Sequence, residues 1–122
     1  MDINFKLDLP PPLNACYRPT MRGGHYSIYK SKEAKEWQEY CGLTVNKYLL
    51  DHKLEVDLDK KDKFALEVDL YLKRDRDIDS SLKLLLDALE GQIYVNDKQV
   101  TELKVKKVKW DEPYIHVYIK EL

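Results

Sequence analysis

Residues 73–100, KRDRDIDSSLKLLLDALEGQIYVNDKQV, begin with alternating basic and acidic residues, pass into an apolar helical period, stop at a glycine and return a further acid in an Asn-Asp turn. Asp75, Asp77 and Asp79 fall where a strand ends and a helix starts. Residues two apart in an extended chain point the same way, so Asp77 and Asp79 are expected to converge on one side. The unsatisfied N–H groups of a helical first turn favour negative charge, which accounts for one aspartate as an N-cap. Three in five residues exceed that need, because mutually repelling carboxylates cost stability unless a cation neutralises them. A hard, oxygen-seeking ion such as Mg²⁺ or Mn²⁺ would do so.

Within the helix, Leu82, Leu85, Leu86 and Leu89 make the expected core stripe, while Asp79, Lys83 and Asp87 recur at i, i+4 and i+8 on another face. Lys83 reads either as a surface pair with Asp87 or as a cation that stabilises charge developing on a phosphate. Gly91 closes the helix as its C′ residue, Ile93 and Val95 form a short strand, and the turn at Asn96-Asp97 is expected to bring Asp97 back to the metal site.

Immediately upstream, Phe64, Leu66, Val68, Leu70 and Leu72 alternate with less apolar residues, the clearest strand pattern in the chain. Downstream, residues 101–110 and 113–122 are two more strand candidates joined as a hairpin at Asp111-Glu112-Pro113. In the first of them Val108 and Trp110 are out of phase with Leu103 and Val105, so a bulge near Lys106-Lys107 is expected. Lys98, Lys104, Lys106, Lys107 and Lys109 give that ribbon a basic face, and His116 lies on the exposed face of the second strand with Tyr114 and Tyr118.

At the start of the chain Ile3, Phe5, Leu7 and Leu9 have the period of a half-buried strand that Pro10, Pro11 and Pro12 end. Residues 13–30 interleave Arg18, Arg22, His25 and Lys30 with Tyr17, Tyr26 and Tyr29 around Gly23-Gly24, the pattern of an irregular hairpin. Basic and aromatic groups together suit a nucleic-acid backbone, although a solvated loop with packed tyrosine edges needs no partner. Ser31 caps a helix with the stripe Ala34, Trp37, Cys41, Val45, Tyr48 and Leu49, in which Trp37 is core and Gly42 a local weak point. Residues 51–63 are charge-rich and read as an exposed connection with His52 facing solvent.

The 122 residues make one domain, 1–122, and 43% hydrophobic composition suffices for one two-layer core. Charged residues are 35% with a net charge of −1, so any basic surface is local. Cys16 and Cys41 have neither CxxC nor Cys/His spacing, which excludes a zinc motif and a disulfide framework and leaves two ordinary thiols. No apolar run reaches membrane-span length and the acidic N-terminus does not read as a signal peptide, so a cytoplasmic protein is expected. No Ser-His-Asp or Cys-His arrangement and no phosphate-binding glycine loop competes with the aspartates. The fold class is α+β, a small mixed sheet with two main helices packed against it.

The run D-I-D-S-S-L-K-L-L-L-D-A-L-E-G followed by Y-V-N-D-K-Q-V resembles the RusA family of Holliday junction resolvases, whose pattern is D-x-D-N-x-x-K-x-x-x-D-A-L and then D-D-x-Q-V. LPPPLNACYR also resembles that family's opening, L-P-x-P-x-x-N-x-x-Y-R. The resemblance implies Asp77, Asp79 and Asp97 as metal-binding acids, Lys83 as the catalytic lysine and Asp87 as a helix acid of structural role. It implies a RusA-like fold, a homodimer and paired cuts in four-way DNA junctions with Mg²⁺, or Mn²⁺ as a substitute, during recombination and repair. Arg18, Arg22, Lys73, Arg74, Arg76, Lys104 and Lys106 are the candidate DNA contacts. Ser80 and Asn96 stand where the family usually has Asn and Asp, and Asp75 interrupts a basic run, which bears on DNA affinity more than on chemistry. Two other readings share these residues: a non-catalytic dimeric module that binds branched DNA, and a metal nuclease acting on other branched nucleic acids.

Overall fold

The structure, a computed structural model, describes residues 2–122, with Asn14 described by its backbone alone. In chain order the elements are β1 (Asp2–Leu7), α1 (Leu13–Cys16), β2 (Tyr17–Arg22), β3 (His25–Lys30), α2 (Lys32–Asp51), β4 (Phe64–Leu72), α3 (Leu82–Leu89), a 3-10 turn (Asp97–Gln99), β5 (Val100–Lys109) and β6 (Tyr114–Glu121). The α+β expectation holds. The main sheet has the order β1-β6-β4-β5, with β4 and β5 parallel and the other neighbours antiparallel.

Period-two alternation determines which face of this sheet is dry. Register lines up Ile3, Ile119 and Leu66 in one row, Phe5, Val117 and Val68 in the next, and Leu7, Ile115 and Leu70 in a third, all buried. Burying such side chains contributes about 1.5–3 kcal/mol each. The opposite face carries Asn4, Tyr118, Glu67 and Lys104 in one row and Lys6, His116, Asp69 and Lys106 in another. His116 sits there as expected, its ring stacked on Tyr118 and its Nε2 3.0 Å from Asn4 Oδ1.

The helices cover the dry face. Ser31 caps α2 by accepting from the Ala34 N–H at 3.2 Å, and Ala34, Trp37, Cys41 and Val45 are buried. Trp37 Nε1 donates to the Asp8 carbonyl at 3.0 Å and the Tyr40 hydroxyl accepts from the Asp8 N–H at 2.9 Å, which fastens α2 alongside the end of β1. In α3 the buried residues are Leu84, Leu85, Ala88 and Leu89, while Leu82 and Leu86 are half-buried. The stripe is rotated from the expected one because α3 also packs against α2 and so needs a second apolar side.

Four local expectations are corrected. β5 and β6 are not a hairpin: β4 lies between them, and the Trp110 N–H donates to the Leu72 carbonyl at 3.0 Å as the chain crosses its end. The register shift lies at Phe64/Ala65 against the start of β5, not at Lys106-Lys107; β5 is an edge strand, so Val108 is half-buried on the other face without a bulge. No aspartate caps α3, whose N-cap is Ser81 with no side-chain cap bond. The expected short strand after Gly91 is a turn with a single bridge, Glu90 to Tyr94, and Gly91 takes the positive φ of 80° that such a reversal requires.

Candidate metal centre and nucleic-acid interface

The D-x-Q-V segment is built around an amide. Gln99 is 4% exposed; its Oε1 accepts from the Val95 and Asn96 N–H groups at 2.9 and 3.0 Å, and its Nε2 donates to the Asp59 and Asp62 carbonyls at 2.8 and 2.9 Å. Asn96 Oδ1 caps the same turn by accepting from the Lys98 N–H at 2.9 Å. This fixes Asp97, whose N–H donates to Glu90 Oε1 at 3.0 Å.

Asp97 therefore returns to the C-terminal end of α3. There carboxylate oxygens of Asp87, Glu90 and Asp97 all lie within 4.8 Å of one another. Oxygen-only donors at that spacing suit one hard divalent cation. Their negative field acts on Tyr94, whose phenol is pushed well above its usual range by burial first and by Asp97, Glu90 and Asp87 next.

Asp87 is the hub. Its Oδ2 accepts from the Tyr17 hydroxyl at 2.7 Å and lies 3.9 Å from Lys30 Nζ. Lys83 Nζ sits over the Tyr17 ring, 4.6 Å from its centroid, so the lysine is steered by an aromatic face in place of the expected pair with Asp87. Burial and the bond to Asp87 push the Tyr17 phenol up, so it remains a donor at neutral pH. Tyr17, Lys30 and Glu90 were not among the expected site residues. Glu90 stands three residues after Asp87 on α3, a spacing that shares a helical face, and Tyr17 occupies the tyrosine of the opening motif.

Asp77 and Asp79 are exposed in the turn before α3, where the Asp77 carbonyl accepts from the Ser80 N–H at 3.1 Å and the Asp79 carbonyl from the Leu82 N–H at 3.2 Å. They are not members of the three-carboxylate cluster. Asp77 and Asp79 precede α3, whereas Asp87 lies within it and Glu90 directly follows it. The Ser80 hydroxyl, at the position where asparagine is usual in the family pattern, is buried without a partner.

Among the candidate DNA contacts, Lys73 and Arg74 are exposed, and Lys104 and Lys106 pair with Glu67 at 3.5 Å and Asp69 at 3.9 Å. Arg76 is engaged structurally, donating to the Pro10 carbonyl at 2.9 Å and Ser81 Oγ at 3.1 Å. Asp75 is held by Lys107 at 2.8 Å, and that bond lowers its pKa, so its charge is internally compensated. Arg18 and Arg22 lie on a regular hairpin with six residue pairs and a Gly23-Gly24 turn, both glycines at positive φ, where an irregular one was expected.

A family model described as Endodeoxyribonuclease RusA matches residues 10–120. The chain belongs to the RusA family. Membership makes it an endodeoxyribonuclease of a family that resolves Holliday junctions in recombination and repair. It is also 28% identical to a Bacillus subtilis (strain 168) protein designated "Uncharacterized protein YqaN", over 98% of this chain and 96% of that one. The RusA opening motif and its D-x-D…K…D-A-L motif, 70 residues apart at Tyr17 and Asp87, meet in the hydrogen bond between those two side chains.

Proposed function

We propose that this single-domain chain acts in the cytoplasm as a metal-dependent, structure-selective endonuclease that resolves four-way DNA junctions by paired cuts as a homodimer. The observation that supports it most is the convergence of Asp87, Glu90 and Asp97, with Tyr17 linking Asp87 to Lys83, within a RusA-family chain. Asp97 would hold Mg²⁺, or Mn²⁺ in its place, together with Asp77 and Asp79, while Asp87 orients Tyr17 and through it Lys83. When bound, the ion supplies polarisation of the scissile phosphate and activation of water. Lys83, one face of its ammonium on the Tyr17 ring, remains free to stabilise charge on a phosphate oxygen.

The separation of Asp77 and Asp79 from the cluster that contains Asp97 supports the dimer. With Asp77 and Asp79 before α3 and Asp97 beside Asp87 and Glu90, a second copy whose α3 runs antiparallel would bring Asp77 and Asp79 of one protomer beside the partner's Asp97. Asp77→Asn and Asp79→Asn should each abolish cutting of a synthetic four-way junction while retaining binding; undiminished cutting by both sinks the reading. Mixing inactive Asp79→Asn with inactive Asp97→Asn should restore single nicks, because the mixed dimer regains one intact set. Absence of recovery despite subunit exchange would place each set within one chain. The same separation favours a second reading, a dimeric branched-DNA binder without catalysis, for which tight junction binding with no cleavage in Mg²⁺ or Mn²⁺ would speak.

A further inference from the structure

Among the described residues the ribbon of β2 and β3 pairs with no other strand, and its register sorts its side chains into two unlike faces. Opposite residues of an antiparallel pair share a face. Pro19 with Ile28 and Met21 with Tyr26 therefore make one apolar face, and Arg18 with Tyr29, Thr20 with Ser27 and Arg22 with His25 make a basic, polar one. Met21, Tyr26 and Ile28 are 70%, 65% and 64% exposed, so the apolar face is uncovered. A two-stranded ribbon is at best marginally stable alone, and a bare apolar face on it is a cost that a partner removes.

The apolar face starts at the acid cluster. Its first pair is Tyr17 and Lys30, the two residues held against Asp87. Six residues of strand then reach roughly 20 Å outward. A partner seated near the cluster thus meets the apolar face, while the basic face offers Arg18 and Arg22 to phosphates.

We infer that the Met21–Tyr26 and Pro19–Ile28 face covers base pairs left unstacked at the branch point of four-way DNA, so that it selects junction over duplex, while Arg18 and Arg22 add affinity for either. This rests on the proposed function above. Linear duplex has no open base step for an apolar group without paying for unstacking, whereas a branch point presents bases whose stacking is already interrupted. Phosphates are alike in both, so the arginine contribution does not discriminate.

The test is binding of the full-length protein to a four-way junction and to linear duplex in chelator, with 2-aminopurine beside the branch. Met21→Ser combined with Tyr26→Ser should weaken junction binding by about tenfold, the scale of one lost base–aromatic stack, leave duplex binding within about twofold, and abolish the quenching of 2-aminopurine that stacking by the unmodified protein causes. Arg18→Gln combined with Arg22→Gln should weaken both substrates by similar factors. Unchanged junction preference in the apolar variant overturns the inference. So does a shift to monomer with preference intact, which makes a second copy the occupant of this face. If the unmodified protein does not itself prefer junction to duplex, the proposed function fails first, and the inference with it.

Discussion

Gln99→Glu changes one atom type at a position where all four hydrogen bonds of the side chain are accounted for. The retained oxygen can still accept from Val95 and Asn96. The new one replaces Nε2 and faces the Asp59 and Asp62 carbonyls at 2.8 and 2.9 Å, two acceptors where two donors' worth of bonding stood. Each lost bond is worth about 1 kcal/mol, and two stranded carbonyls in a buried setting raise the sum to roughly 2–4 kcal/mol. Protonation relieves it, since a neutral carboxyl donates once. The folded-state pKa of the introduced group is therefore raised above the unfolded value of about 4.3, so the deficit is full above the folded pKa and shrinks as pH falls through it. Urea unfolding of variant and parent from pH 5 to pH 8 measures this directly. A deficit below about 1 kcal/mol at pH 8, or one that is the same at both ends, would refute the account of Gln99 as the clamp of this segment.

Tyr17→Phe keeps the ring under Lys83 and removes the donor to Asp87, so stability should fall by only about 1 kcal/mol, since Asp87 keeps Lys30 and some solvent, while junction cutting falls about tenfold with binding little changed; Tyr17→Leu, which also removes the ring, should cut more slowly still. Gly42→Ala should stabilise by about 0.5–1 kcal/mol in urea titrations: a Cβ there meets only the end of the flexible Gln92 side chain, at 3.0 Å, and the helix gains the propensity difference. The His116 pKa is lowered by burial and then by Lys6, so the folded protein resists its protonation and stability is lost as pH falls below 6.5; His116→Asn should flatten that acid slope in thermal melts. Burial pushes the Cys41 thiol up to about 12, and Cys16 is raised as well, so neither should react with a disulfide reagent at pH 8 until urea is added.

The fold was legible wherever a period was long and regular. Ile3 to Leu7 and Phe64 to Leu72 declared their buried faces, and Ser31 with the stripe from Ala34 to Val45 declared α2. Adjacency was not legible, because two consecutive strands with a proline turn look alike whether they pair or straddle a third; Asp111-Glu112-Pro113 straddles β4. Single-residue register on the edge strand β5 was hidden because an edge strand need not keep one face dry. For the site, the chemistry of the aspartates and the return of Asp97 were visible, but which end of α3 it returns to depends on Gln99 reaching the Asp59 and Asp62 carbonyls some 40 and 37 residues away, and no local pattern encodes that. Tyr17 was visible as a residue and not as a contact, since its partner Asp87 is 70 positions distant.

Among the described strands β1 pairs only with β6, and β6 joins it to β4. The first hydrogen-bonded row therefore waits for the last: Asp2 lies opposite Lys120 and Leu7 opposite Ile115. No shorter stretch of chain can supply the partner, so closure of the sheet is bound to be non-local and correspondingly slow. During synthesis, β1 stays an unpaired strand with Ile3, Phe5 and Leu7 bare until residues 114–121 have emerged, and in that interval the nascent chain is open to strand pairing with its neighbours, a hazard that ends when β6 slots between β1 and β4.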